Sequence, residues 1–251
     1  MSYYKFLRPA GTGPFTGYDW GTVPGTWVDA EVNAGAGDVV PCRDGIHACR
    51  VEDLPYWLTE ELWRIDLDGP LVIHENKVVA RRGRLGTRVE QWTRAAAREF
   101  SVACVCRVAY HAAAELRGAG LAALAESIEA AAAAFGQNGI GQKGKGDTLD
   151  EHARAGIEAA VQDPGSTANL LSAYVIDALE SLDVDPPAAL AYIAARAANQ
   201  RSAILGDAAH LDAAHLDAVH LDDPYLDERR WQASWLATRL GLPTPAGSSA
   251  P

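Results

Sequence analysis

The residues Leu62-Trp-Arg-Ile-Asp-Leu-Asp-Gly69 alternate between apolar and polar side chains and decide the fold of the first part of the chain. Trp63, Ile65 and Leu67 occupy one face of an extended segment, and the polar residues between them occupy the other. A period of two residues is typical of a β-strand with one buried face, and the Gly-Pro pair that follows ends it. The pattern predicts a strand over Leu62–Leu67.

Short extended segments flank this strand in the sequence. Their apolar and β-branched residues predict further strands, interrupted by a short helix over Asp53–Leu58. Residues 1–92 also hold five of the seven tryptophans of the chain, which supports a packed domain. We therefore expect a small mixed β-sheet domain, with strands at Tyr3–Leu7, Thr26–Ala30, Val39–Cys42, Ile46–Cys49 and Leu71–His74 and extended chain over Lys77–Val89.

Beyond residue 92 the chain becomes rich in alanine and leucine, and its apolar residues recur at helical spacing. The sequence therefore predicts an α+β fold, with a β-rich domain over residues 1–92, a helical array over residues 93–242 and a disordered tail over residues 243–251. The expected helices are Trp92–Leu116, Leu121–Phe135, Ala168–Leu182, Pro187–Leu205 and Pro224–Leu240.

Two segments of the helical part have an unusual composition. Residues 136–147 are rich in glycine, which predicts a flexible loop. Residues 209–228 contain five-residue repeats of the type Ala-His-Leu-Asp-Ala. Five residues advance an α-helix by about 500°, so the repeated leucines would not share one helix face. An irregular or helical surface linker is favoured over a β-solenoid coil.

The charge balance of the chain limits its partners. Lys and Arg number 22 and Asp and Glu 33, so the net charge is −11 with histidine neutral. Nucleic-acid binding needs clustered basic residues, and we therefore expect no nucleic-acid partner. The sequence shows neither a long apolar run nor a signal-like segment, which predicts a cytoplasmic protein that does not bind membranes.

The segment from Cys42 to Cys49 holds the candidates for a metal site. Asp44-Gly45 between two extended runs predicts a hairpin, and in that register Cys42, His47 and Cys49 share one face. Thiolates and imidazoles are zinc ligands, and His74 is the nearest fourth candidate. Two alternatives stay open: buried thiols beside a hydrogen-bonded histidine, and catalysis by His47 and Cys49.

Other candidates stand apart from this segment. Glu75 follows His74 and is a candidate general base. On a strand Arg82, Arg84 and Arg88 share a face and are candidates, together with Trp57, for binding a phosphate or an acidic partner. The alternative for the arginines is an edge strand whose charges discourage further sheet pairing.

Residues 3–92 carry a recognisable series of motifs. These are Gly45-Ile-His-Ala-Cys49, Leu54–Trp57, the Leu62–Gly69 segment and Lys77-Val-Val-Ala80. In this series the chain resembles a domain of unknown function of actinobacterial and phage-related proteins, sometimes found beside pentapeptide repeats. The resemblance implies that His47 and Cys49 belong to a family feature, and it implies no activity.

The same region is similar to ADP-ribosyltransferase-like folds, where a strand bearing Gly and His precedes a short helix and a strand of the Trp63–Leu67 kind. That resemblance implies an acidic catalytic residue on a later strand, for which Glu90 is the candidate. We expect a binding or interaction protein whose helical part contacts a protein partner or self-associates. An enzyme using zinc or thiolate chemistry around Cys42, His47 and Cys49, and an oligomeric assembly protein, are the alternatives.

Overall fold

The computed structural model of the chain describes residues 2–21, 24–30, 39–41, 44–137, 173–178, 186–205 and 223–245. It confirms the α+β class, with antiparallel strands in the N-terminal part and helices after them. The chain divides into two compact units, which we call the β-rich unit (residues 1–97 and 230–251) and the helical unit (residues 98–229). Residues 230–251 are therefore grouped with the N-terminal residues, although helices precede them in the sequence.

The described strands of the β-rich unit form two sheets. The strands are β1 Tyr3–Leu7, β2 Trp27–Asp29, β3 Ile46–Ala48, β4 Glu61–Asp68, β5 Val72–His74, β6 Lys77–Ala80 and β7 Arg82–Arg88. The four-stranded sheet has the order β1-β4-β7-β2 and the three-stranded sheet the order β3-β6-β5. Every pairing between these strands is antiparallel, where the sequence predicted a mixed sheet.

Both sheets contribute to one apolar core. Its buried residues are Leu7, Trp20, Ile46, Ala48, Ile65 and Leu85, and Trp63 and Leu67 pack against them. The alternation predicted for β4 is thus confirmed, because Trp63, Ile65 and Leu67 face this core. We call the side of each sheet that carries these residues its inner face.

Two features join the sheets. Strands β6 and β7 are consecutive and separated only by Arg81, so residues 77–88 pass from one sheet into the other. Tyr4 of β1 and Cys49 form an isolated bridge, in which each backbone N–H donates to the other residue's carbonyl at 2.8 Å.

The hairpin predicted around Asp44-Gly45 is wrong. Residues 39–41 are not a strand, and the N–H of Asp44 donates to the carbonyl of Val40 at 2.9 Å to close a turn. β3 pairs instead with β6, whose four residues are all buried. The Asp44-Gly45 turn signal therefore did not determine the pairing of β3. β3 pairs with an apolar strand about thirty residues further along the chain, and both faces of that strand are buried.

The predicted short helix is present and begins two residues earlier than expected. It is a 3₁₀ helix over Val51–Tyr56, where the sequence predicted a short helix over Asp53–Leu58. Asp53 accepts the backbone N–H of Arg50 at 3.2 Å and its guanidinium at 2.7 Å, which stabilises the first turn. Pro55 lacks an N–H and favours so short an element.

The predicted long helices are confirmed where the chain is described. They are α1 Arg94–Gly118, α2 Ala122–Gln137, α3 Pro187–Leu205 and α4 Asp223–Leu240, and residues 173–178 are also helical. α2 includes residues 136–137 of the predicted loop, and the rest of that loop lies outside the described residues. Of the five-residue repeats, the last lies in α4 and the others lie outside. Among the described helices, none is long and apolar enough to cross a membrane.

Candidate functional site

His47, Cys49 and His74 lie on the same side of the three-stranded sheet, opposite its inner face. His47 is directly opposite Val79, and Lys77 lies two residues from Val79 and directly opposite His74. The two histidines are therefore two strand spacings apart across the sheet and two residues apart along it, about 12 Å, and Lys77 of β6 lies between them. In the part of the chain that is described, no three His, Cys, Asp or Glu residues are grouped to hold a metal ion. Cys42 lies outside that part, so the zinc site stays a prediction.

Burial makes the Cys49 thiol inert. The residue is 2% exposed, and its Sγ donates to the carbonyl of Tyr4 at 3.5 Å. Burial, reinforced by the nearby Asp53 carboxylate, raises the pKa of the thiol well above its ordinary value. Because the thiolate is the nucleophile, a thiol that stays protonated at neutral pH does not favour covalent catalysis at Cys49.

His47 carries no charge at neutral pH. Burial, followed by the charges of Lys5 and Lys77, lowers its pKa to about 4. Its backbone carbonyl accepts the Lys5 ammonium at 2.7 Å, which ties β3 to β1. The imidazole is thus a neutral group beside two cations.

Hydrogen bonds link the N-cap of the 3₁₀ helix and Trp57, the residue after the helix, to the turn between β5 and β6. Glu75 has φ +46°, a left-handed conformation that is uncommon outside glycine. Arg50 donates to the Glu75 carbonyl at 3.2 Å, and the Trp57 indole N–H donates to the Asn76 carbonyl at 2.6 Å. The Glu75 carboxylate is exposed. Glu90 is also exposed, in the turn after β7.

The three arginines of β7 do not share one face, which corrects the prediction. The register between β4 and β7 is Ile65 with Leu85 but Trp63 with Arg88, so β7 has one extra residue in a β-bulge. An extra residue moves the following side chain to the other face. Arg82 and Arg84 therefore point outward, whereas Arg88 joins Trp63 on the inner face.

The outward arginines already have anionic neighbours. Arg84 pairs with Asp66 at 2.7 Å, and Arg82 lies 3.4 Å from Asp29 and 3.9 Å from Asp68. Both guanidiniums also stack on Trp27, at 5.1 and 4.8 Å from its ring. The arginines and aspartates therefore neutralise one another across neighbouring strands. This arrangement favours a structural role for Arg82 and Arg84 over phosphate binding.

A second polar group, which we call the inner-face cluster, consists of Lys5, Trp20, Glu61, Trp63 and Arg88. Lys5 is directly opposite Trp63, and Trp63 is directly opposite Arg88, so the three form a row across β1, β4 and β7. Glu61 is buried; it accepts the Trp63 indole N–H at 3.1 Å and lies 3.4 Å from Arg88. The Lys5 ammonium is 5.1 Å from the Trp20 ring. Lys5, Glu61 and Arg88 therefore lie on the face of the sheet that also carries the aromatic rings of Trp20 and Trp63.

The sequence interpretation found only Arg88 of this cluster, and assigned it to the wrong face. One signal was present: Lys5 has the same phase as Tyr3 and Leu7, so an inward ionisable residue could be expected from alternation. The bulge that turns Arg88 inward had no comparable local signal, because it depends on pairing with β4.

The helical unit contains a buried ionic network that the sequence did not indicate. Glu228 of α4 is 1% exposed, and its carboxylate accepts hydrogen bonds from Nη2 and Nε of Arg107, at 2.6 and 3.0 Å. His111, one helical turn after Arg107 on α1, lies 3.3 Å from the same carboxylate. Cys104 is fully buried nearby, and burial, with the Glu228 charge, raises its pKa well above the ordinary value.

An exposed aromatic loop follows β1; we define it as residues 9–21. Phe15 at its tip is 83% exposed and meets Trp57 edge-on, with ring centroids 6.1 Å apart. Tyr18 is 43% exposed and meets Trp20 in the same way, at 5.2 Å. The loop therefore displays two aromatic side chains, each supported by a tryptophan.

No protein-family model, curated protein or solved structure matches the chain. The resemblance to the actinobacterial and phage-related domain accordingly stays a prediction. The aromatic loop combines aromatic side chains with exposure, and the inner-face cluster combines them with ionic charge, which favours both as binding surfaces.

Proposed function

We propose that this is a cytoplasmic binding or interaction protein and that its β-rich unit engages a protein partner through the aromatic loop. The observation that carries the proposal is the 83% exposure of Phe15 on a hydrogen-bonded loop. Large aromatic residues supply much of the affinity of protein interfaces. Exposed in water, the same side chain contributes little to the stability of its own fold.

Hydrogen bonds hold the aromatic loop in one shape. The Gly13 N–H donates to the Tyr18 carbonyl at 2.8 Å, and the Trp20 N–H donates to the Gly11 carbonyl at 3.0 Å. Gly11 has φ +73°, and a Cβ there would lie 2.6 Å from the Cα of Gly21, so the loop needs glycine at its base. A preorganised loop loses little conformational entropy on binding, which favours an interaction surface.

The Phe15 ring packs against Trp57, whose own position is fixed by other contacts. Its indole N–H is bonded to the Asn76 carbonyl, and its ring lies 6.0 Å from the Lys77 ammonium. Edge-to-face packing then holds the Phe15 ring on a rigid base. A partner protein would therefore bind a Phe15 side chain that does not have to change its conformation.

The experiment compares two exposed aromatic residues in the full chain. Phe15→Ala removes the tip of the loop, and Tyr192→Ala, on α3, removes an aromatic side chain that is 53% exposed. Proteins retained by the tagged wild type and both variants are quantified by mass spectrometry, and an identified partner is then titrated as a purified protein. We expect Phe15→Ala to weaken binding about 30-fold, as for an interface hot spot, and Tyr192→Ala to leave it unchanged.

Two results would contradict this surface. Equal retention by the wild type and Phe15→Ala would remove the loop from the interface. Loss in Tyr192→Ala alone would transfer the interface to the helical unit, where the sequence first predicted it. Unfolding midpoints of both variants check that the fold is intact.

A further inference from the structure

Strand β5 lies at one edge of the three-stranded sheet, whose order is β3-β6-β5. Among the strands that the structure describes, β5 pairs with β6 and with no other. The opposite edge of this sheet is occupied, because Tyr4 of β1 bridges to Cys49, the residue after β3. An edge strand presents backbone N–H and C=O groups to which a further strand can pair. We call residues 71–74 the β5 edge.

The hairpin geometry determines which backbone groups of β5 point outward. His74 is directly opposite Lys77, and the turn between them consists of Glu75 and Asn76. In a hairpin with a two-residue turn the flanking pair exchanges backbone hydrogen bonds, and bonded and non-bonded pairs then alternate along the strands. Ile73 belongs to the next pair, so its N–H and C=O point away from β6. Only another extended backbone can pair with both groups in the manner of a sheet.

An apolar row of side chains crosses the sheet and ends in water at β5. Ala48, Val78 and Ile73 are directly opposite one another on β3, β6 and β5, on the inner face. Ala48 and Val78 are buried, whereas Ile73 is 61% exposed. Leu71, two residues before Ile73, is 40% exposed. A further strand beside β5 would extend this row with a residue of its own and would remove Ile73 from water.

The β5 edge lacks charge, proline and bulges, which usually prevent unwanted pairing at an edge strand. Residues 71–73 are Leu, Val and Ile, and the register between β5 and β6 is regular. The strand is three residues long and therefore offers few backbone hydrogen bonds. We expect such an edge to pair with moderate affinity.

Charge determines which kind of strand fits the β5 edge. The chain has a net charge of −11, so two copies repel each other. Exposed carboxylates lie on both sides of the edge, Asp68 before it and Glu75 after it. Arg82 is 3.9 Å from Asp68, too far for a hydrogen bond, and compensates its charge only in part. Basic residues on both sides of an added strand would therefore be attracted, whereas a second copy would bring further carboxylates.

We propose that the β5 edge binds an extended segment of a partner protein by β-strand addition, and that this segment has aliphatic residues at alternate positions with lysine or arginine on both sides of them. The backbone of Ile73 pairs with the segment, and the aliphatic residues cover Leu71 and Ile73. The basic residues lie near Asp68 and Glu75. This inference concerns a second surface of the β-rich unit and does not depend on the aromatic loop.

A phage-displayed library of random ten-residue peptides tests the preferred sequence. It is selected on the full chain, on Ile73→Lys, which places a charge at the centre of the edge, and on Tyr192→Lys, a control of similar exposure on α3. We expect peptides with alternate aliphatic residues and basic flanks to be enriched on the wild type and on Tyr192→Lys. Equal enrichment on Ile73→Lys, or no enriched sequence, would overturn the proposal.

The affinity of a synthetic copy of an enriched peptide gives the second measurement. We expect a Kd of about 10–100 µM for the wild type, unchanged in Tyr192→Lys and weakened about tenfold in Ile73→Lys. Unfolding midpoints of both variants check that the fold is intact. An equal Kd for the wild type and Ile73→Lys would contradict binding at the β5 edge.

Methylation of the peptide backbone distinguishes strand addition from a general apolar contact and uses only the wild-type protein. An N-methyl group removes an N–H donor and blocks pairing at that residue. Two versions of the peptide carry methyl groups on its odd or on its even amides. Because alternate N–H groups of a strand face its neighbour, we expect one version to bind about tenfold more weakly and the other to bind as before. Equal effects of the two versions would refute strand addition.

Sedimentation equilibrium of the chain without peptide tests a second copy as the occupant. We expect the wild type and Ile73→Lys to have the same mass in solution. A wild-type dimer that dissociates in Ile73→Lys would assign the β5 edge to a second copy and overturn the proposal.

Discussion

Replacing Glu228 by glutamine should destabilise the helical unit. The Glu228 side chain is fully buried and accepts Arg107 and His111. Removing one partner of a buried ion pair leaves the other charge without compensation, at about 3–5 kcal/mol. The Arg107 side chain is 34% exposed, so water stabilises its charge in part. We therefore expect Glu228→Gln to lower the free energy of unfolding by about 2–3 kcal/mol.

Urea unfolding followed by far-ultraviolet circular dichroism measures this change. With a denaturant slope of about 2 kcal/mol per molar, the urea midpoint should fall by about 1 M or slightly more. Glu129→Gln is the matched control, because Glu129 pairs with Arg117 on the surface of the same unit. Exposed ion pairs contribute little, so the control midpoint should not move measurably. Equal midpoints for the two variants would refute the argument from burial.

The same substitution should alter the response to acid. Burial acts to raise the pKa of Glu228, but the hydrogen bonds from His111 and Arg107 outweigh it and leave the pKa below its ordinary value. A carboxylate with a lowered folded pKa stabilises the fold above about pH 4.3, its unfolded value, and this contribution is lost as the pH falls through the folded value. Glu228→Gln should therefore show a smaller loss of stability between pH 5 and pH 3 than the wild type.

Two further predictions concern the β-rich unit. His47 has a folded pKa of about 4, below its unfolded value of about 6.5, so stability should decline as the pH falls from 6.5 to 4; urea midpoints across this range should decline less in His47→Gln, and a proton NMR titration with a midpoint near 6.5 would contradict the burial. A Cβ on Gly83 would lie 2.9 Å from Cγ2 of Ile46, whereas the nearest atom to a Cβ on Gly86 is 3.5 Å away. Gly83→Ala should therefore cost about 1–3 kcal/mol in the same assay and Gly86→Ala less than about 0.5, and equal losses would refute the crowding.

Local patterns predicted the elements well and their partners less well. The alternation in β4 and the periodicity of α1 are properties of consecutive residues, and both were correct. The Asp44-Gly45 hairpin was wrong because a turn signal does not specify which strand β3 will pair with. The four residues of β6 are all buried, and a pairing that buries such a strand involves residues far apart in the sequence.

Prediction of the candidate sites from the sequence is limited in the same way. Alternation could place Lys5 inward, but only the long-range register shows that Arg88 shares its face. In the helical unit the spacing of Arg107 and His111 puts them on one helix face, but their common partner Glu228 is more than a hundred residues away. Ionic partners at such separations are defined by tertiary packing and have no local pattern.

The pairing of β1 with β4 and the membership of residues 230–251 in the β-rich unit constrain the order of events during synthesis. β1 forms a single-residue bridge to Cys49, but residues 61–65 of β4, with which the whole strand pairs, emerge from the ribosome later. The whole helical unit is then translated before residues 230–240 are available to complete the β-rich unit. The residues of β1 therefore belong to a unit that is completed only after the helical unit has been translated, so the helical unit can fold before residues 230–240 join the β-rich unit.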